Sequence, residues 1–304
     1  MKRILFILIV AICVVACEQE GTNGHDPNIE LDITCVVDTE FEHFTTVEID
    51  PENYDTRSQE APYRRFIVDL YSVQDDELVL AKRSVSFVAI DQEPMANAKF
   101  NVRAGKYKAL VWCDYVNYRG EDWLYNTSDL RKILPTGVIA EDNEYKCAFS
   151  NAIEIDLSEA EGWSKHTRDV TLEATQGHLK YMATALPESI AASGKTITTV
   201  VTYTQYISAG YNVEEQKPNY FEPTSTFITK TKVDKENNVE FFHDYIFVND
   251  SQTNIKLNFY LYDGEITINE DGEISGQMIY HTYALVAPIK RGQETLVEGR
   301  VNEM

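Results

Sequence analysis

The sequence from residue 31 onward alternates apolar and polar residues with a period of two, and this pattern most constrains the fold. Residues 65–73 are rich in β-branched and aromatic side chains, and the polar residues 74–77 separate them from a second apolar run. This arrangement predicts a β-hairpin. Similar runs recur to the end of the chain, and almost none shows the 3.6-residue period of a helix. The sequence therefore predicts an all-β fold of antiparallel sandwiches with Greek-key connections.

A break at Thr175-Gln176-Gly177 divides the predicted strands into two series. A chain of this length commonly forms two domains, and 43% hydrophobic residues suffice to fill two cores. We expect an N-terminal β-sandwich at residues 31–175 and a C-terminal β-sandwich at residues 176–304.

The chain begins with a leader in which basic residues precede a short apolar run. The run, residues 4–15, is too short to cross a bilayer, and Ala16 and Cys17 follow it. A small residue followed by cysteine resembles the lipobox of bacterial lipoproteins. The resemblance implies that residues 1–16 are a signal peptide cleaved after Ala16, and that Cys17 carries acyl chains that hold the protein to a membrane. An ordinary secretory signal with a chance cysteine is the alternative.

The residues after the lipobox refine the predicted location. Residues 17–30 lack an apolar period and contain Gly, Asn and Pro, which is typical of a flexible tether. Glu18 and Glu20 lie beside Cys17, and this acidic flank resembles the signal that Bacteroidales-type bacteria use to export lipoproteins to the outer face of the outer membrane. We expect a surface-exposed outer-membrane lipoprotein.

The net charge of −22 limits the partners of the chain. Such a charge repels phosphate backbones and anionic headgroups, so we expect no nucleic-acid binding. Contact with the membrane is expected through the lipid on Cys17 and not through a basic surface.

Residues that could carry catalysis are scattered. The six histidines lack the spacing of a zinc helix, and the sequence contains no nucleophile elbow, phosphate-binding loop or dinucleotide fingerprint. We expect no enzyme activity, no cofactor and no metal site. After the leader, Cys35, Cys113 and Cys147 remain, and their disulfide state stays open because three cysteines cannot all pair.

Several segments carry a family resemblance. Residues 66–115 comprise a strand, a polar turn, a strand, then Gly105-Lys106-Tyr107 and Trp112-Cys113-Asp114-Tyr115. This block resembles the N-terminal domain of fimbrillin-type lipoproteins of type V pili. Further segments resemble a subgroup of unassigned function: residues 125–130, 208–213, 244–249 and 288–292. The resemblance implies two transthyretin-like β-sandwich domains in tandem and a role in surface fimbriae, with subunit, tip and anchor all left open.

Two hypotheses about function follow. The first is a lipid-anchored, fimbrillin-like structural protein that engages other subunits by strand addition at a sheet edge. Proteolysis that removes the first strand could free such an edge, and Arg57, Arg64 and Arg65 are predicted to lie in a loop accessible to a trypsin-like protease.

The alternative is a glycan-binding lipoprotein of a nutrient-uptake system. It would use exposed aromatic side chains that stack on sugar rings, and the predicted platform comprises Tyr118, Trp123 and Tyr125.

Overall fold

The computed structural model describes residues 28–37, 63–117, 121–137, 143–183, 197–223, 225–233, 239–249, 252–269 and 273–299. These ranges contain nineteen β-strands and one short 3-10 helix, Asn143–Lys146, but no α-helix. The predicted all-β fold class is confirmed.

Nine strands form the N-terminal half of the described chain. They are β1 (Ile29–Val37), β2 (Tyr63–Gln74), β3 (Glu77–Ala89), β4 (Met95–Val102), β5 (Lys106–Val116), β6 (Tyr125–Asn126), β7 (Leu134–Pro135), β8 (Phe149–Asp156) and β9 (Lys165–Ala174). Seven of them form one sheet in the order β3-β2-β5-β8-β9-β1-β4, and β6 pairs with β7.

The seven-stranded sheet folds back on itself between β8 and β9. These two strands share only two residue pairs, Phe149 with Ala174 and Ser150 with Glu173. The layers β3-β2-β5-β8 and β9-β1-β4 therefore face each other, and their inward side chains form the first core. In β1 every second side chain is buried, from Ile29 to Val37, as alternation requires of a strand with one face in the core.

Ten strands form the C-terminal half. They are β10 (Gln176–Ala183), β11 (Ile197–Tyr203), β12 (Ile207–Asn212), β13 (Lys217–Glu222), β14 (Ser225–Lys230), β15 (Lys232–Val233), β16 (Val239–Phe247), β17 (Thr253–Ile268), β18 (Ile274–Ile289) and β19 (Glu294–Gly299). The sheets β15-β16-β10-β19 and β14-β11-β17-β18 enclose a second core, rich in phenylalanine, and β12 pairs with β13.

The predicted hairpin in the N-terminal half is present. β2 and β3 pair antiparallel from Tyr63 with Ala89 to Gln74 with Glu77. The two turn residues, Asp75 and Asp76, have φ of 49° and 65°. Two consecutive residues with positive φ match the twist of the flanking strands, and aspartate tolerates this conformation better than most side chains.

Two strand pairings are parallel, which the sequence pattern does not indicate. β1 runs parallel to β9, and β10 runs parallel to β19. Alternation of apolar residues predicts which face of a strand is buried, but it is the same for either strand direction. The antiparallel expectation therefore holds for the other pairings but not for these two.

A third cluster of buried side chains joins the two halves. It lies on the face of β2 and β5 that points away from the first core, and it includes Trp112, Tyr125, Tyr211 and Phe247. The ring of Trp112 lies 5.8 Å from that of Tyr125, 6.1 Å from that of Tyr211 and 6.4 Å from that of Phe247, measured between centroids. Residues of both halves thus pack around one tryptophan.

Candidate interaction surface

β3 lies at an edge of the seven-stranded sheet. It is thirteen residues long and, within the described residues, pairs only with β2. An edge strand exposes backbone N–H and C=O groups that a further strand can bind. β3 is therefore a candidate binding surface.

The outward face of β3 carries apolar side chains that remain exposed. Residues directly opposite each other on antiparallel strands share a face, and Val85 is opposite Ile67, a member of the third cluster. On this face Leu80 is 49% exposed, Val85 36% and Phe87 46%. We call Leu80, Arg83, Val85 and Phe87 the β3 strip.

The one charged side chain of the β3 strip is bound to a buried partner. Arg83 donates two hydrogen bonds to the carboxylate of Asp69, at 2.6 and 2.7 Å, and one to the carbonyl oxygen of Thr127, at 3.0 Å. Asp69 is fully buried, and burial raises its pKa, an effect that Arg83 opposes. The pairing neutralises the guanidinium, so the β3 strip is apolar in character over most of its length.

A buried ion pair beside the β3 strip holds a neighbouring segment against the sheet. Arg65, opposite Phe87 on β2, donates to both oxygens of Asp114 at 2.9 and 2.6 Å and to Asp122 at 2.6 Å. Asp122 also accepts a hydrogen bond from the Thr127 hydroxyl at 3.0 Å. The bidentate geometry is the strongest form of an arginine–carboxylate contact, and it holds residues 121–127 against the sheet.

The positions of Arg64 and Arg65 correct one prediction. Both lie within β2 and are only 5% and 4% exposed. Arg64 donates to the carbonyl oxygens of Ile90 and Gln92 at 2.9 and 3.3 Å. The expectation that these arginines lie in an accessible loop is wrong, since both guanidinium groups are bound inside the fold. Arg57 lies outside the described residues.

The predicted aromatic platform is also not formed as expected. Tyr125 is 4% exposed, and its hydroxyl donates to the carbonyl oxygen of Lys146 at 2.6 Å. Trp123 is half-buried, and its ring lies 5.8 Å from that of Tyr145. The prediction that Tyr125 offers an exposed ring is wrong, because the C-terminal half covers that side chain. Tyr118 lies outside the described residues.

Ala16, Cys17 and the tether up to residue 27 also lie outside the described residues. Cys35, Cys113 and Cys147 are buried. Burial raises the pKa of the Cys35 thiol to about 12, so this group is an apolar core side chain at neutral pH.

In the described part of the chain no group of three or more His, Cys, Asp or Glu side chains is placed to hold a metal ion. None of the helices described there is long and apolar enough to cross a membrane.

Sequence reasoning missed the β3 strip. Residues 77–90 carry apolar side chains at both odd and even positions, which is more than a strand with one buried face requires. This excess of apolar residues is the feature of the sequence that could have indicated the β3 strip. It indicates either burial on both faces or an apolar exposed face, and only the strand order decides between them.

A family model described as "Family of unknown function (DUF6562)" matches residues 34–301. The chain belongs to this family. No curated protein matches this DUF6562 member.

Solved structures similar to this DUF6562 member include proteins of Bacteroides and Porphyromonas species. A cell adhesion protein candidate from Bacteroides eggerthii is 15% identical, with a TM-score of 0.44, over 92% of this chain and 89% of the other. An adhesin candidate from Bacteroides ovatus is 14% identical, with a TM-score of 0.40, over 94% and 99%. The fimbrial anchor protein Mfa2 from Porphyromonas gingivalis is 11% identical, with a TM-score of 0.41, over 84% and 82%.

Proposed function

We propose that this protein is a lipid-anchored structural and adhesive protein of the cell surface, a fimbrillin-like subunit or anchor that binds other subunits by strand addition. The exposed apolar face of the edge strand β3 is the observation that carries the proposal. The lipobox at Cys17 supports the anchoring, and the resemblance of residues 66–115 to fimbrillin-type lipoproteins supports the kind of assembly.

β3 has the properties that strand addition needs. An added strand binds the free backbone groups of an edge, and its alternate side chains pack on the face beside it. Proteins that stay monomeric usually protect a long edge with unpaired charges, proline or a short strand. On the β3 strip the only charge is that of Arg83, and Asp69 neutralises it. An incoming strand therefore meets Leu80, Val85 and Phe87 without having to desolvate a free charge.

Release of β1 would create a second place for strand addition. β1 lies between β4 and β9 and pairs with both along its length. Its removal would open two strand edges at once and expose the core face that its own side chains fill. Cleavage at Arg57 would have this effect, and it would also separate the body from Cys17. A cleaved subunit and a lipid-anchored protein are therefore mutually exclusive forms, and the intact mass of the surface protein identifies which is present.

The test of the β3 proposal is site-specific photo-crosslinking on living cells. A photoreactive side chain replaces Leu80 on β3, and the matched control replaces Val286 on β18, because both native side chains are 49% exposed and both lie on edge strands. We expect a discrete adduct with another surface protein from position 80 and none from position 286. Adding Phe87→Lys should abolish the adduct, because it places a charge against the added strand. Equal crosslinking from both positions, or none from position 80, refutes the proposal.

The anchoring is tested separately. Metabolic labelling with a palmitate analogue should mark the wild-type protein and leave a Cys17→Ser variant unmarked. An unmarked wild-type protein would exclude the lipid anchor without bearing on β3.

A further inference from the structure

We infer that Trp163 contacts the bilayer surface to which the protein is anchored, so that the N-terminal half stands with the β8–β9 loop against the membrane. This inference rests on the proposed lipid anchor, and it adds an orientation and a contact residue. It concerns the loop between β8 and β9.

Trp163 is the most exposed large hydrophobic side chain in the part of the chain that the structure describes. It is 78% exposed and has a φ of 64°. Left-handed backbone is uncommon for a residue with a bulky side chain. A tryptophan held outward in this conformation gains nothing from the fold's own cores, which makes contact with something outside the fold the simplest reason for its presence.

The loop that carries Trp163 is fixed to the start of β1. The Trp163 N–H donates to the carbonyl oxygen of Asn28 at 3.1 Å, and the Glu30 N–H donates to the carbonyl oxygen of Ser164 at 2.9 Å. The Ser164 N–H donates to the carbonyl oxygen of Glu161 at 3.3 Å and closes the turn. Trp163 is therefore adjacent to the point where the chain from Cys17 enters the fold.

Chain length limits how far Trp163 can lie from the lipid. Eleven peptide units join Cys17 to Asn28, and they span at most about 40 Å when fully extended. The anchor thus keeps this end of the N-terminal half close to the bilayer.

The direction of β9 places the start of the C-terminal half away from the loop that carries Trp163. β9 starts at Lys165, beside Trp163, and ends at Ala174, just before β10 begins at Gln176. Ten residues of strand cover about 33 Å. The loop with Trp163 and the start of the C-terminal half therefore lie at opposite ends of β9.

The chemistry of the loop identifies the kind of surface. Tryptophan favours the membrane–water interface, where its ring is in an apolar layer and its N–H reaches polar groups. Glu159 and Glu161 lie on the same loop and would be repelled by an anionic surface. The contact with the bilayer therefore depends on the ring and N–H of Trp163 and not on attraction between charges.

Tryptophan fluorescence of the full-length mature protein in vesicles tests the inference. Trp112 is fully buried and Trp123 is half-buried, so collisional quenchers report mainly on Trp163. The lipidated protein is reconstituted into phosphatidylcholine vesicles with brominated acyl chains, and the soluble Cys17→Ser form serves as the unanchored reference. We expect bromolipid to quench Trp163 emission in the vesicles, with a loss of quenching by aqueous acrylamide relative to the soluble form. Trp163→Tyr should remove both effects.

A second exposed position provides the matched control. Tyr206 in the C-terminal half is 68% exposed, and Tyr206→Trp in the Trp163→Tyr background should remain accessible to acrylamide and insensitive to bromolipid. Protein that floats with vesicles while Trp163 stays open to acrylamide overturns the membrane contact and leaves the anchoring intact. Protein that does not float with vesicles overturns the anchoring itself.

Discussion

Replacing Arg65 by methionine should destabilise the fold strongly, because its guanidinium pairs with a buried carboxylate. Arg65 and Asp114 are 4% and 1% exposed, and two hydrogen bonds of 2.9 and 2.6 Å join them. Removing the guanidinium leaves a buried carboxylate without its counter-ion. Breaking one side of a buried ion pair costs about 3–5 kcal/mol, and we expect a loss of this size in the free energy of unfolding.

The loss should depend on pH in a defined direction. Burial raises the pKa of Asp114, and Arg65 opposes that rise. Without Arg65 the pKa of Asp114 in the folded state rises further above its unfolded value, so the folded state takes up the proton more readily. The loss in the free energy of unfolding is then greatest at pH values above the folded-state pKa of Asp114. It becomes smaller as the pH falls through that pKa towards the unfolded-state pKa of about 4.

Urea unfolding of purified protein at neutral pH and at mildly acidic pH measures both effects. The double variant Arg65→Met with Asp114→Leu removes the unpaired charge and should recover most of the loss. Lys106→Met, which breaks an exposed ion pair with Asp156, serves as the surface control and should change stability much less. If the double variant is no more stable than Arg65→Met alone, the charge argument is refuted and loss of packing explains the effect.

Three further outcomes are expected. Trp112→Ala should cost about 3–5 kcal/mol by urea unfolding, because it empties the centre of the third cluster, and a loss near zero would contradict that role. Gly177→Ala should lower the free energy of unfolding by about 1–3 kcal/mol, because a Cβ there would meet the Ile289 side chain and the Lys290 carbonyl. Unchanged thermal stability would show that β18 can move aside. The Cys35 thiol, whose pKa burial raises to about 12, should not react with maleimide in the native protein at neutral pH and should react fully in urea, as mass spectrometry of the modified peptide can show.

The sequence predicts strands well where one face of a strand decides its pattern. β1 and β4 each bury every second residue, and the β2–β3 hairpin has its turn at Asp75 and Asp76 as expected. In these elements local alternation and turn chemistry point to the same structure, so neither needs information from the rest of the chain.

The failures share one cause, which is burial by residues distant in sequence. Tyr125 lies in a segment rich in Tyr, Asn and Asp that predicts an exposed loop, yet Tyr211 and Phe247 of the C-terminal half cover the same cluster. The sequence predicts that Arg65 is a surface charge. In the structure Asp114, 49 residues later, lies opposite it on β5 and accepts its hydrogen bonds. The order of the strands in the sheet decides whether such side chains are buried, and the alternation of apolar and polar residues does not predict that order.

The place of β1 has a consequence for the order in which the chain folds. β1 is the first strand of the described chain, but its parallel partner β9 begins at residue 165, and Glu30 pairs with Lys165. Closing a loop of that length carries an entropic cost that slows folding, and contacts between remote residues form late. One edge of β1 can pair with β4 once residues 95–102 are available, but its other edge stays open until residues 165–172 follow, so the first core closes only when more than half of the chain is present.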